Sequence, residues 1–179
     1  MDVGPMVEII GTHRLSEFRD GDLTHTFLQD EVPRIRSAIE SVPEEVFLDS
    51  EHDNEVDEFD SIVGEKLSNY SVEGTGECSL WTDEGFNHRV DLYHREKRIA
   101  IELQKSEKKY VWKDLAKFGR GAHTQARGGG KIKYGCLVVP DYYSGKSVFT
   151  GTRKILRFMS PMLDTEEIII IGFHNPPSQ

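Results

Sequence analysis

The segment HRVDLYHREKRIAIELQ, residues 88–104, decides the fold because two strand-like runs flank a charged turn. Apolar residues occupy every second position of the second run, as in a strand with one face in a core. Glu102 and Gln104 share the other face, and Asp91 alternates with apolar neighbours in the first run. If the two runs pair with their apolar faces together, we expect these three polar side chains to emerge at one place.

The rest of the chain has the patterns of an α/β protein. Short apolar runs predict strands at residues 7–10, 134–139 and 166–173. Apolar residues at helical spacing predict helices at residues 33–42, 56–67, 111–118 and 155–163. There is no internal repeat or low-complexity linker, so residues 1–179 are predicted to form a single α/β domain with a central mixed β-sheet flanked by helices.

The composition excludes several classes of protein. The chain has 179 residues, of which 30% are charged and 37% are hydrophobic, which is typical of a soluble globular domain. No apolar run approaches the ~20 residues of a membrane span, and no export signal is recognisable at the N-terminus. Cys78 and Cys136 are far apart and have no CxxC partner, which excludes a zinc finger or a disulfide scaffold. We therefore expect a reduced cytoplasmic protein.

The charges of the chain are segregated. The net charge is −9, and residues 44–60 contain nine acids and no Lys or Arg, which is typical of a solvated loop. Residues 95–133 contain twelve Lys or Arg against four acids, a local balance of +8. Phosphate binding depends on local positive charge, so this basic segment is compatible with a nucleic-acid partner. A solvated helix face is the alternative explanation of the same lysines.

Asp91, Glu102 and Gln104 together offer two carboxylates and an amide oxygen. Such an oxygen-only set suits Mg²⁺, which is bound by few carboxylates and completed by water and phosphate oxygens. Lys105 falls on the opposite face of the strand and is expected to matter little for chemistry. The alternative is an ordinary pair of surface acids, which soluble proteins often carry.

Asp91, ten intervening residues and the triplet Glu102-Leu103-Gln104 resemble the catalytic hairpin of PD-(D/E)XK nucleases. Glutamine in place of the usual lysine resembles the variant in type II restriction endonucleases of the BglII and BstYI kind. Five segments follow in that family's order: VEIIGTHRL at residue 7, GEKL at 64, RIAIELQ at 98, KYVWKDL at 109 and IIIIGF at 168. The resemblance covers most of the chain and implies a restriction-endonuclease-like core.

The resemblance implies a homodimer that cuts double-stranded DNA with Mg²⁺, which Mn²⁺ can replace, at a palindrome containing GATC. It also implies a cognate DNA methyltransferase in the same restriction-modification system. Asp91 and Glu102 would bind the metal, and Gln104 would orient the attacking water without accepting a proton. Family members place a fourth catalytic polar residue upstream, for which Glu73 is preferred over the alternatives Thr75 and Glu77.

Two groups of residues are predicted to contact DNA. The first could line a phosphate path and comprises Lys108, Lys109, Lys113 and Lys117. The second lies, by resemblance, where the family reads bases, and comprises Tyr142, Tyr143, Ser144 and Lys146. Two rival functions stay open: another PD-(D/E)XK nuclease acting in repair or recombination, and a catalytically inactive module that binds DNA or protein.

Overall fold

The computed structural model describes residues 4–20, 26–47, 54–83, 86–123 and 131–174. Its α-helices are α1 Val32–Ile39, α2 Asn54–Lys66, α3 Val111–His123 and α4 Phe149–Met159. Its strands are β1 Glu8–Arg14, β2 Ser71–Val72, β3 Ser79–Asp83, β4 Phe86–Arg89, β5 Leu92–His94, β6 Ile99–Leu103, β7 Tyr134–Pro140, β8 Tyr142–Tyr143, β9 Lys146–Ser147 and β10 Glu167–His174. In these ranges, no helix has the length and apolar character needed to cross a membrane.

Six strands form one mixed sheet in the order β1-β10-β7-β6-β5-β2. The central strands β10, β7 and β6 are parallel, whereas β1, β5 and β2 join as antiparallel neighbours. Two further pairs, β3 with β4 and β8 with β9, form separate two-stranded sheets. The predicted fold class, a central mixed sheet flanked by helices, is confirmed.

Helices cover both faces of the sheet, and each face has its own apolar core. Ile101 of β6 packs in the first core with Ile35 of α1 and Val63 of α2. Its neighbour Ala100 points the other way, into the second core with Leu115 of α3. This alternation follows from the period of two in a strand, and it explains why β6 is apolar at nearly every position.

The four consecutive isoleucines of β10 also alternate between the two apolar cores. Ile168 and Ile170 belong to the second core, whereas Ile169 and Ile171 belong to the first. All four are fully buried. β10 is therefore a central strand with no solvent-facing side, as the consecutive apolar residues predict.

The sequence predicts one strand over residues 88–93, but the structure contains two, separated by Val90 and Asp91. The earlier strand, β4, pairs with β3 outside the main sheet, and the later one, β5, pairs with β6. Val90 lies in the second core and Leu92 in the first, so the expected common apolar face of these two residues is wrong. At this break, the backbone amide of Leu103 donates a hydrogen bond to the carboxylate of Asp91 (2.6 Å). The side chain thus takes the place of the backbone carbonyl that a continuous strand would offer.

Candidate active site

Asp91 and Glu102 lie together at the carboxyl end of β6. In the antiparallel pair of β5 and β6, Leu92 is opposite Ile101, so Asp91 is beside the last residues of β6. Oδ2 of Asp91 accepts the hydrogen bond from the Leu103 amide. The side chain of Glu102 points toward α3 and is only 6% exposed. The two carboxylates predicted from the sequence are thus brought close enough to repel each other.

Helix α3 adds two charged side chains to this place. Asp114 and Lys117 are three residues apart, so both lie on the helix face that packs against the sheet. Nζ of Lys117 is 2.6 Å from Oε1 of Glu102 and 3.6 Å from Oδ1 of Asp114. The exposed fraction of each of these three side chains is 12% or less. An ammonium and two carboxylates therefore form a nearly buried cluster beside Asp91.

Burial and crowding shift the pKa values of this cluster. Desolvation raises the pKa of Glu102 well above its usual range, and repulsion by Asp91 adds to the effect. Desolvation also raises the pKa of Asp114, against the hydrogen bond that it receives from Gln104. Burial alone would lower the pKa of Lys117, but attraction by Glu102, Asp114 and Asp91 raises it overall. Each carboxylate therefore carries its negative charge less favourably here than in water, and the site gains from any further positive charge.

The amide of Gln104 is held at both ends. Nε2 donates a hydrogen bond to Oδ2 of Asp114 (3.0 Å). Oε1 accepts two hydrogen bonds, from the amide (3.1 Å) and the hydroxyl (2.6 Å) of Ser106. These contacts fix which end of the amide faces α3, and they connect Gln104 to Asp114. One N–H of the amide is left over after these bonds.

On the α2 side of the sheet, Asp91 faces an open acidic groove. Lys105 forms an ion pair there with Asp60, and Asp60 is close enough to Asp91 for mutual repulsion. Burial raises the pKa of Asp60 to about 6. Asp57 and Glu73 also line this groove. Asp91 therefore lies between a nearly buried cluster on the α3 side and a solvent-accessible acidic surface on the α2 side.

The three candidates for the fourth polar residue have different surroundings. Glu73 is exposed, lines the groove with Asp91, and its amide donates to the Asp91 carbonyl oxygen (2.8 Å). Thr75 turns its hydroxyl to the carbonyl of Val72 (2.9 Å). Glu77 accepts hydrogen bonds from Ser71 and Arg95 (2.7 and 3.4 Å). Of the three, Glu73 is the one that shares a surface with Asp91.

The predicted DNA-contacting lysines separate into two groups. Lys108 and Lys109 lie in the 3₁₀ turn before α3, and Lys113 lies in the first turn of α3 itself. All three are exposed. Lys109 is paired with Glu107 (3.0 Å). Lys117, in contrast, is directed inward to Glu102. A solvent-facing position is therefore found for three of the four lysines.

The predicted base-reading residues form a small hairpin at the same edge of the sheet. β8 pairs with β9 through Tyr143 and Lys146, and the turn residues Ser144 and Gly145 have φ values of 48° and 72°. Two left-handed residues in a two-residue loop are typical of a hairpin turn. Tyr142 is 48% exposed. The hairpin follows the carboxyl end of β7, next to the end of β6 where Glu102 lies.

The donor chemistry of the site fits a hard divalent cation. Asp91 and Glu102 offer carboxylate oxygens, and each uses one oxygen in the contacts with Leu103 and Lys117. Within the described ranges, no three His, Cys, Asp or Glu side chains are arranged as a ready-made metal cage. Mg²⁺ does not require one, since it keeps several waters and uses one or two carboxylates with phosphate oxygens.

Sequence reasoning missed the parts played by Asp114 and Lys117 in this cluster. One signal was present: Asp114 falls in the apolar stripe of α3 together with Val111, Leu115 and Phe118, all of which are buried. A charged residue in such a stripe is almost never fully buried without a partner. Its position therefore indicated a polar group on the facing strand.

One of three comparisons with known proteins shows the family of this chain. No curated protein sequence matches the chain. Among solved structures, the crystal structure of restriction endonuclease BglII complexed with a DNA 16-mer is similar, with a TM-score of 0.49 and 11% sequence identity, covering 65% of this chain and 55% of that chain. The profile of a family described as "Putative halobacteria restriction endonuclease" matches residues 13–173, which include β6, α3 and every residue of the site. As the sequence predicted, the chain belongs to a restriction endonuclease family.

Proposed function

We propose that this protein is a type II restriction endonuclease that hydrolyses phosphodiester bonds of double-stranded DNA at a specific site with Mg²⁺. The observation that carries the proposal is the meeting of Asp91 and Glu102 at the carboxyl end of β6. Membership of a restriction endonuclease family supports the nuclease activity itself. Two adjacent carboxylates, one of them nearly buried, are a costly arrangement that a structural role does not require.

In this proposal, Asp91 and Glu102 hold the divalent cation. When bound, Mg²⁺ would neutralise charge on the phosphate and assist ionisation of the attacking water. Hydrolysis joins the oxygen of water to phosphorus, breaks the bond to the 3′ oxygen, and leaves a proton on that oxygen. Gln104 holds Asp114 in place and uses its remaining N–H to orient the water. Glu73, on the groove beside Asp91, is proposed as the fourth polar residue.

The DNA would cross the edge of the sheet where β6 and β7 end. Lys108, Lys109 and Lys113 are exposed next to the site and would contact phosphates. The hairpin of β8 and β9 carries Tyr142, Tyr143, Ser144 and Lys146 at the same edge and would approach the base pairs. A palindromic target that contains GATC, and a methyltransferase that protects it, belong to the same proposal.

A clean double-strand break requires two sites, which a two-fold dimer supplies most simply. Trp112 of α3 and Phe158 of α4 pack edge-to-face (5.4 Å between ring centroids), and both are exposed, at 41% and 66%. These two rings form an exposed apolar patch, and Met162, in the 3₁₀ turn that follows α4, is also exposed, at 57%. The patch supports a helix-to-helix dimer interface. Analytical ultracentrifugation should give twice the monomer mass, and Phe158→Asp should shift the protein toward monomer.

A digest of plasmid DNA with Mg²⁺ tests the function directly. Discrete bands with symmetric, staggered ends support a type II enzyme, whereas a smear indicates a nuclease without site specificity, as in repair or recombination. Intact plasmid with retained DNA binding indicates an inactive DNA-binding module. The matched control is Glu102→Gln, which keeps the shape of the side chain and should abolish any cleavage that belongs to this site.

A further inference from the structure

Lys117 differs in its surroundings from the exposed lysines Lys108, Lys109 and Lys113. Its side chain is 12% exposed, whereas that of Lys109 is 60% exposed. Its ammonium lies 2.6 Å from Glu102 and 3.6 Å from Asp114. Burial of a lysine costs free energy unless its charge is compensated. Its burial here therefore depends on the carboxylates that surround it.

The charges in this cluster do not balance. Glu102 and Asp114 contact the ammonium directly, and Asp91 interacts with it electrostatically. Three carboxylates thus surround one lysine, and two of them are nearly buried. A second positive charge would be attracted to the carboxylate charge that Lys117 does not neutralise. What must change is the contact between Lys117 and Oε1 of Glu102.

On the basis of the proposed metal-dependent nuclease activity, we propose that Lys117 is an exchangeable counter-ion of the active site. In the metal-free protein Lys117 holds Glu102. When a divalent cation takes this carboxylate, Lys117 turns to the scissile phosphate and becomes its positively charged contact from the protein. Lys117 therefore competes with the metal in the free protein and supports the phosphate in the DNA complex.

Two features of the site favour this exchange. Asp114, on the same helix, keeps its Oδ1 within 3.6 Å of the ammonium, so that Lys117 stays in the site after leaving Glu102. Gln104 occupies the place where the usual motif has a lysine, and its neutral amide is bound to Asp114 and Ser106. Lys117 of α3, which contacts Glu102, is placed to supply the positive charge for the phosphate instead.

Titration of the DNA-free protein with Mn²⁺, followed by calorimetry, tests the competition. Lys117→Met should bind Mn²⁺ at least ~10-fold more tightly than the wild type, because a positive charge next to the metal is removed. The same variant should cleave DNA at least ~100-fold more slowly, because the phosphate loses its contact. Lys117→Arg should stay close to the wild type in Mn²⁺ affinity. Lys154→Met, which removes an exposed charge on α4, is the control for both measurements.

Unchanged or weaker Mn²⁺ binding by Lys117→Met, with Glu102→Gln abolishing binding, would overturn the exchange and leave the nuclease proposal standing. If Glu102→Gln still binds Mn²⁺ and still cleaves DNA, the proposed nuclease site itself is wrong. If Lys117→Met fails to fold, the wild-type protein gives the answer by NMR. The ε-methylene signal of Lys117, assigned with Lys117→Arg, should move on addition of Mg²⁺ without DNA, and a stationary signal would contradict the exchange.

Discussion

Two buried glutamates lie at opposite ends of β6, and their surroundings are reversed. Glu31, where β6 and β7 begin, is 1% exposed and is bound by Lys97, Arg34 (3.3 Å) and the hydroxyl of Tyr70 (2.9 Å). Burial alone would raise the pKa of Glu31, but these partners hold it below its usual value. Glu102, where β6 ends, is 4% exposed, and its pKa is raised well above the usual range.

The difference is one of charge balance. Glu31 has two positively charged partners and a hydroxyl, so its carboxylate is fully compensated inside the protein. Glu102 shares one lysine with Asp114 and is repelled by Asp91. Removing one partner from a compensated buried ion pair destabilises the fold, whereas a buried acid with a strongly raised pKa is a candidate for a functional residue. Burial alone would not have distinguished the two residues.

The largest expected effect is on DNA cleavage, which should depend on Glu102 and not on Glu31. Glu102→Gln, and likewise Asp91→Asn, should lower the DNA cleavage rate by roughly 10³-fold or more, because metal binding contributes several kcal/mol to the transition state. DNA binding without metal should be retained or tighter, because a negative charge near the phosphates is removed. Single-turnover cleavage and gel-shift assays measure the two effects. Undiminished cleavage by Asp91→Asn would remove it from the active site.

The next largest effect is on the free energy of unfolding, which should depend more on Glu31 than on Glu102. Glu31→Gln should lower the free energy of unfolding by about 1–3 kcal/mol, because charge-assisted hydrogen bonds from Lys97, Arg34 and Tyr70 are weakened. Glu102→Gln should cost less than this or be stabilising, because a repelled buried charge is removed. Urea denaturation of both variants checks the comparison. Equal losses of stability would mean that the charge balance of the two clusters does not matter.

Gln104→Ala should slow DNA cleavage by about 10- to 100-fold. Gln104 is not a proposed metal ligand, but its hydrogen bond to Asp114 helps to hold the side chains of the site in position. Because Gln104 does not titrate, the pH–rate profile of the variant should keep the same ionisation steps as that of the wild type. A profile that loses a whole step would contradict a purely orienting role.

A smaller effect concerns the exposed lysines. Lys108→Ala, Lys109→Ala and Lys113→Ala should each lower the slope of log DNA affinity against log salt by about one, if each residue contacts a phosphate. The same titration with Lys154→Ala should keep the wild-type slope. Unchanged slopes in all three variants would assign these lysines to a solvated helix face.

The smallest effect is a pH dependence on the α2 side. The raised pKa of Asp60, about 6 against an ordinary 3.8, means that the folded protein binds more protons than the unfolded chain between these values. The free energy of unfolding should therefore fall as the pH rises through this window. Asp60→Asn should flatten that fall, whereas Asp57→Asn should only weaken it, because repulsion by Asp57 is a smaller cause of the raised pKa than burial is. Urea titrations at pH 4, 5 and 6 would measure the slopes.

Much of the fold could be predicted because buried strands and amphipathic helices leave strong periodic patterns. The apolar runs correctly predicted the buried strands β7 and β10, whereas the alternation in β6 predicted one buried face and the structure buries both. The break at Asp91 could not be predicted, because a side chain that replaces a backbone acceptor leaves no mark in the pattern. Short strands such as β2 and β3 were missed for a related reason, since few residues cannot show a period.

For the site, the expected pairing of the two runs correctly predicted that Asp91 and Glu102 lie close together, although the expected common apolar face of Val90 and Leu92 was wrong. The cluster with Asp114 and Lys117 could not be predicted, because contacts between a strand and a later helix depend on how α3 packs against the sheet. Lys117 illustrates the point. From its sequence alone it resembles its exposed neighbours, and only packing shows that it is directed inward.

The strand order has a consequence for how the protein is made. β10 is the last strand of the described chain, yet it lies between β1 and β7, and Arg14 of β1 pairs with Ile169. During translation, β1 leaves the ribosome long before its partner exists, and pairing over such a separation makes folding slow. The middle of the sheet stays open until β10 is inserted. A growing chain therefore cannot complete this sheet, which supports the candidate site, before β10 has been synthesised.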